Sequence, residues 1–255
     1  MKKQLFAMLF ALVPFTAMAA PAADVPFSMT PDLNDEASVQ RGMQLYTNYC
    51  MGCHSLEHQR FARVAEDFGI PQDLVEQNLI FSSQQAYNDQ MHNAMTSEDG
   101  ANWFGASAPD LSLRARVRGE DWIYSYLLTF YKDPSRPTGV NNTVFLASSM
   151  PNVLEPLQGV QERVCSQSDR PIEGAELDPL TGKYQSCDVL QVTRPGSMEP
   201  DEFEEVAYDL TNFLVYVGEP SKLQAQAMAP KVLIFIFIFG IIAFFLKREY
   251  WRDVH

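Results

Sequence analysis

Cys50-Met51-Gly52-Cys53-His54 packs two thiols and an imidazole into five residues. Thiols at this spacing lie on a single helical turn, and the imidazole follows directly. C-x-x-C-H is the attachment pattern of c-type haem. The thiols reach the two vinyl groups of one porphyrin as thioethers, and His54 places its imidazole on the iron from the proximal side. A thioredoxin-like redox pair would need a βαβ surround, which the sequence does not present. Half of a zinc site would need a second close pair, whereas Cys165 and Cys187 stand 22 positions apart. The motif therefore predicts one covalently bound haem c, with no general base, no substrate pocket and no catalytic side chain.

An iron held by one imidazole has a distal position to fill. A Met sulfur there raises the reduction potential and suits electron transfer, while a distal His58 or His92 would lower it. Met29, Met43, Met51, Met91, Met95, Met150 and Met198 are available. Most methionines are core filler, and Met91 and Met95, at i and i+4, can simply face the interior. Met150 is distinctive because it directly precedes Pro151 in a long loop. Proline restricts the residue before it to extended geometry, which helps fix where that side chain points. The residues alone favour Met150 and leave Met95 and Met198 open.

The elements that must position these groups read as mostly α. Ser38 is a plausible N-cap, and Val39, Met43, Tyr46 and Cys50 recur at helical spacing, so this helix delivers the chain to the motif. Residues 61–87 are loosely helical, with Pro71 expected at N1 after a break. Residues 88–110 read as loop. A helix is expected over 120–131, with Ile123, Tyr126, Leu127 and Phe130 on one face. Residues 132–159 read as loop, and 160–193 as a polar stretch holding Cys165 and Cys187. No long strand series is visible. Residues 200–217 form an amphipathic helix, with Phe203, Val206, Ala207, Leu210, Phe213, Leu214 and Val217 on its buried side.

The two ends carry different signals. Lys2 and Lys3, the apolar run 5–13 and Ala17-Met18-Ala19 read as a secretory signal over residues 1–19, cleaved near Ala20. Export implies an oxidising compartment. Residues 232–246 are uncharged. Extended to 228–246 the segment is about 28 Å long, enough for a ~30 Å hydrocarbon core if Lys231 snorkels. Pro230 would then sit in the first turn. Lys247, Arg248 and Arg252, with Tyr250 and Trp251, mark a cytoplasmic tail over 247–255. Residues 20–227 are left as an exported head. The chain carries a net charge of −13. Each end contributes +2, so the head carries −17, which argues against nucleic acid and suits a basic partner.

Further residues carry a family resemblance. Pro109-Asp110-Leu111-Ser112, the Arg-rich stretch after it, Gly119-Glu120-Asp121, the loop 141–151 and the single basic-tailed anchor join the early haem motif. Together they resemble cytochrome c1, the haem subunit of the proteobacterial bc1 complex, over nearly the whole chain. The resemblance implies a class I cytochrome c-like haem domain with long loops, its N- and C-terminal helices packed together, plus one C-terminal transmembrane helix. It places the distal iron ligand on Met150. It also implies a propionate-pairing arginine, which falls on Arg118 when counted from Pro-Asp-Leu-Ser. The segment before Gly119 is shorter than the common family pattern, so Arg116 is the runner-up and Arg114 a third candidate. Pro109 lies near the haem in relatives, and a disulfide in the corresponding region of some members supports a Cys165–Cys187 bridge. The implied function is a respiratory-chain relay within a dimeric ubiquinol–cytochrome c reductase. Electrons would come from the Rieske iron–sulfur protein and leave for a soluble or tethered cytochrome c, with cytochrome b as membrane partner. The haem domain would face the periplasm from the inner membrane. A tethered cytochrome c serving a terminal oxidase or another reductase is the alternative.

Overall fold

The computed structural model describes residues 25–168, 176–177 and 179–254; the expected signal segment and its cleavage point lie outside them. Helix α1 (Glu36–Leu45) runs into a π-helical turn, Tyr46–Cys50. A short antiparallel pair, β1 (Leu56–Arg60) and β2 (Gln90–Met91), brackets α2 (Phe61–Asp67) and α3 (Gln72–Asn78). Helices α4 (Ser97–Phe104), α5 (Arg114–Arg118) and α6 (Glu120–Leu128) follow. Strands β3 (Phe130–Lys132) and β4 (Val140–Asn142) pair antiparallel, and α7 (Glu155–Gln158) follows them. The chain then forms a sheet of β5 (Gly159–Ser168), β6 (Glu176–Leu177) and β7 (Tyr184–Pro195), in the order β5-β7-β6. It ends in α8 (Pro200–Gly218) and α9 (Lys222–Tyr250).

The core is the expected crossing of the first and last helices of the head. Asp35, not Ser38, caps α1, its carboxylate accepting from Ser38 N at 3.1 Å. Ser38 is thereby placed in the first turn, fully buried, where its Oγ accepts from Asn212 Nδ2 of α8 at 3.0 Å. One turn on, Gly42 meets α8 at contact distance. A Cβ there would lie 2.1 Å from the Asp209 carbonyl oxygen and 2.6 Å from Phe213 Cβ, so only glycine allows this crossing. Arg41 closes the pair with two bonds to the buried Asp209 carboxylate, at 2.6 and 3.0 Å. The predicted stripe of α8 is buried in full, and Asn212 and Tyr216 are buried as well.

Several elements differ from the expected ones. Pro71 is the N-cap of α3 rather than its first residue. Residues 88–110 contain β2 and α4; α4 begins with a Thr96–Asp99 capping box and ends at Gly105. Gly100 is its one buried residue, so no apolar periodicity marks it. The helix expected to reach 131 stops at Leu128, and Phe130 opens a strand. The freed carbonyls are taken by two glutamines: Gln158 and Gln161 Nε2 donate to Leu128 O, and Gln161 also donates to Phe130 O.

The polar stretch 160–193 makes up most of the β5-β7-β6 sheet, an antiparallel arm in which β5 and the two-residue β6 both pair with β7. It rises from two touching feet. A Cβ on Gly159, whose φ is +93°, would lie 2.3 Å from Arg194 O, and one on Gly196 would lie 2.2 Å from Leu157 O. The foot end of β7, residues 191–195, is exposed at every position, so it shows no alternation of buried and exposed residues. Helix α9 begins at Lys222, six residues earlier than the expected span, which puts Pro230 inside the helix. Leu223 in its first turn packs half-buried against the core, the apolar side chains from Met228 to Leu246 are exposed, and the helix is long and apolar enough to cross a membrane.

Candidate haem site

The π-helical turn is closed by Met51 N donating to Tyr46 O at 2.9 Å, and it brings the motif out of α1. Cys53 N and His54 N then both donate to Cys50 O, at 3.1 and 2.9 Å, folding Cys50–His54 into one tight turn. Both thiols are free. Cys50 is buried, and burial, aided by the nearby Cys53, pushes its pKa up to about 12, so it stays protonated. Tyr46 Oη donates to His54 O at 2.6 Å beneath the turn. Asn93 Nδ2 donates to Cys53 O, while Asn93 N donates to Ser55 Oγ at 3.0 Å.

His54 is buried, and its Nδ1 lies 2.7 Å from the Pro109 carbonyl. A carbonyl only accepts, so Nδ1 carries the proton and Nε2 is left with a bare lone pair. Nε2 has no partner among the described residues. Burial lowers the His54 pKa, and the Pro109 bond works against that shift. Both effects act on a ring that is neutral near pH 7, the form that binds metals.

Pro109-Asp110-Leu111-Ser112 is a strap laid along the residues after the motif. Leu111 N donates to Ser55 O at 3.0 Å, Glu57 N to Asp110 Oδ2 at 2.8 Å, and His58 N to Ser112 Oγ at 3.1 Å. Ser112 N donates back to Asp110 Oδ1 at 2.9 Å.

Met150 belongs to a second cluster, built on α6. Its sulfur lies 3.5 Å from Tyr126 Oη, and its N donates to Ser148 Oγ at 3.2 Å. The Tyr126 ring stacks on Trp122 with centroids 5.1 Å apart, and the Arg118 guanidinium lies over Trp122 at 5.0 Å. Arg118, Trp122, Tyr126 and Met150 therefore form one continuous wall. Arg114 Nε donates to Asp110 O at 3.4 Å, and Arg116 packs beside Gly218 at the end of α8. None of the three arginines pairs with a carboxylate among the described residues. Cys165 is disulfide-bonded. Its neighbours Val164 and Ser166 pair with Val189 and Ser186 of β7, while the side chain of Cys187 lies outside the described residues.

Asn93, Tyr126 and Asn142 carry no sequence signal as site residues. Their parts depend on partners distant in the chain. Free thiols on one turn, an imidazole with its distal nitrogen bare, a loop thioether and an aromatic wall fit a covalently held haem.

Fold, site and anchor define a membrane-anchored c-type cytochrome. The cytochrome c1 family model matches residues 26–159 and 196–254. The chain is 40% identical over 255 residues to cytochrome c1 of Allochromatium vinosum, covering all of both chains. It is 38% identical over 245 residues to a protein named ammonia monooxygenase gamma subunit in Nitrosomonas europaea, covering 96% of this chain and 95% of that one. To cytochrome c1 of Cereibacter sphaeroides it is 24% identical over 275 residues, covering 93% and 90%. The chain belongs to the cytochrome c1 family, whose members bind one covalent haem c and serve as subunits of the bc1 complex. The match leaves out 160–195, the segment that forms the arm.

Proposed function

We propose that this chain relays single electrons from a Rieske iron–sulfur protein to a soluble or tethered cytochrome c within a dimeric ubiquinol–cytochrome c reductase, beside cytochrome b. The observation that carries this reading is the His54 ring. Its Nδ1–H is committed to the Pro109 carbonyl, and Nε2, without a partner among the described residues, keeps its lone pair for a metal close to two free thiols. Bound there, haem c supplies one-electron chemistry with little reorganisation between its two oxidation states. Cys50 and Cys53 hold it covalently. His54, its ring oriented by Pro109, and Met150 would be the two side chains that ligate the iron. Arg118, fixed over Trp122, is the propionate partner, and Arg116 and Arg114 follow it as candidates. Cys165 pairs with Cys187 and ties the arm. Residues 1–19 direct export and are removed, 20–227 form the periplasmic head, 228–246 cross the inner membrane, and 247–255 remain in the cytoplasm.

Purification of the chain in mild detergent tests this reading. Cytochrome b and a Rieske protein are expected to co-purify, with a c-type spectrum on reduction. A second reading is a relay of the same chemistry serving another membrane enzyme. The relative that bears the name of an ammonia monooxygenase subunit favours it. Co-purification with an oxidase or oxygenase core would replace the first reading by the second.

A further inference from the structure

We propose that the Tyr126 hydroxyl donates its proton to the Met150 thioether and that this bond raises the reduction potential of the centre; the inference rests on Met150 being the distal ligand. Tyr126 Oη lies 3.5 Å from Met150 Sδ and 2.8 Å from Ser148 Oγ. A phenol has one proton, so Tyr126 can donate to only one of them. Ser148 Oγ accepts from Met150 N at 3.2 Å, and its own hydroxyl proton is free to go to Tyr126. The Tyr126 proton is then left for the sulfur. The three groups close a ring: Met150 N–H to Ser148 Oγ, Ser148 O–H to Tyr126 Oη, Tyr126 O–H to Met150 Sδ.

The ring is held from outside. The Tyr126 carbonyl accepts from Asn142 Nδ2 at 2.8 Å, and the phenol is fixed between Trp122 and the edge of Phe130, whose centroid lies 5.0 Å away. Asn142 Oδ1 also accepts from Val144 N at 2.9 Å and Phe145 N at 3.2 Å, which ties the loop to the same helix. Ala147 adopts φ +61°, a conformation L residues rarely take. It is held there by Asn141 Oδ1 on its N–H and Arg136 Nη2 on its carbonyl, both at 2.9 Å.

A proton directed at one lone pair of a thioether withdraws density from the pair offered to the metal. Ferric iron, the more electron-demanding state, loses more by this than ferrous iron. The bond therefore favours the reduced state, a potential set by hydrogen bonding around a ligand.

The test uses the full chain with haem attached. Tyr126→Phe keeps both ring contacts and deletes the donor. It is expected to retain the far-red methionine–ferric absorption while lowering the ferrous-to-ferric ratio at fixed solution potential about fivefold. That is a midpoint about 40 mV lower on the one-electron scale of 59 mV per tenfold. Ser148→Ala removes a loop anchor but leaves the phenol proton for the sulfur, so its ratio is expected to stay within about twofold. A Tyr126→Phe ratio within twofold of the parent would overturn the proposal. So would a Ser148→Ala shift as large as that of Tyr126→Phe, because loop slack would then be the cause. Met150→Ala separates the two levels of the argument. If it keeps the far-red band and excludes carbon monoxide when reduced, Met150 is not the ligand and the proposal falls with that assignment. If it loses the band and admits carbon monoxide while Tyr126→Phe is silent, the ligand stands and the role of Tyr126 falls.

Discussion

Pro109 serves the site through its carbonyl, which any residue would supply; the side chain's part is to hold the strap's backbone. Pro109→Ala is therefore expected to keep the His54 bond and the visible spectrum, with a stability change within about 1 kcal/mol. Asn93 is a sharper case, because its amide donates to the Cys53 carbonyl inside the motif. Asn93→Ala leaves that carbonyl unpaired. It is expected to cost about 1–2 kcal/mol in denaturant unfolding of the holoprotein. At Asp133 the Ser135 hydroxyl, and next the Asn141 amide, hold the carboxyl below the usual carboxylate range. A lowered folded-state pKa keeps a contribution at full strength above the unfolded value and loses it as pH falls through the folded value. The side-chain amide signals of Asn141 in an NMR titration are thus expected to move below about pH 4, later than an unperturbed aspartate would dictate. The haem motif was legible in the sequence because all its chemistry lies within five residues. Asn93 and Tyr126 were not, since each acts on a partner 40 or 24 positions away.

At the scale of elements, the α1–α8 crossing is the least tolerant feature. Gly42→Ala forces a Cβ into the Asp209 backbone, which cannot yield without parting the helices. The expected cost is about 3 kcal/mol, read as a lowered denaturation midpoint with an unchanged m-value. The arm is the opposite case. Its feet already touch at Gly159 and Gly196, and the family match resumes at residue 196. The link to the body that bears on the α6–β3 join is Gln161, which donates to two carbonyls there. Gln161→Ala is expected to cost about 1.5 kcal/mol and to lower the thermal midpoint by about 4 °C. The amphipathic stripe of α8 was readable because one face meets a core. The arm and α4 were not, because among the described residues only Gly159 of the arm's strands and Gly100 of α4 are buried, and solvent imposes no period on the residue choice.

For the whole molecule, charge and hydropathy separate an acidic head from an apolar helix with a basic end. The head is acidic, while the anchor ends in Lys247, Arg248 and Arg252. An acidic head speeds encounter with a basic carrier through a field that salt screens within about 8–10 Å. Second-order electron transfer to a basic cytochrome c is accordingly expected to slow as ionic strength rises. Rates indifferent to salt would place the docking on apolar contacts instead.

The sequence by itself determined the covalent chemistry, the anchor and the two helices that make the core. These depend on residues close in the chain or repeating with a fixed period. Only the tertiary structure decided which nitrogen of His54 is bare, that Gly42 is the point of helix contact, and that Asp35 rather than Ser38 caps α1. It alone joined Tyr126 to Met150 and turned a polar stretch into a paired arm. The reason is physical. Hydrogen bonds and close contacts between distant residues are specific to a pair of atoms in space, and a single polar side chain or glycine looks the same in sequence whether or not it makes one.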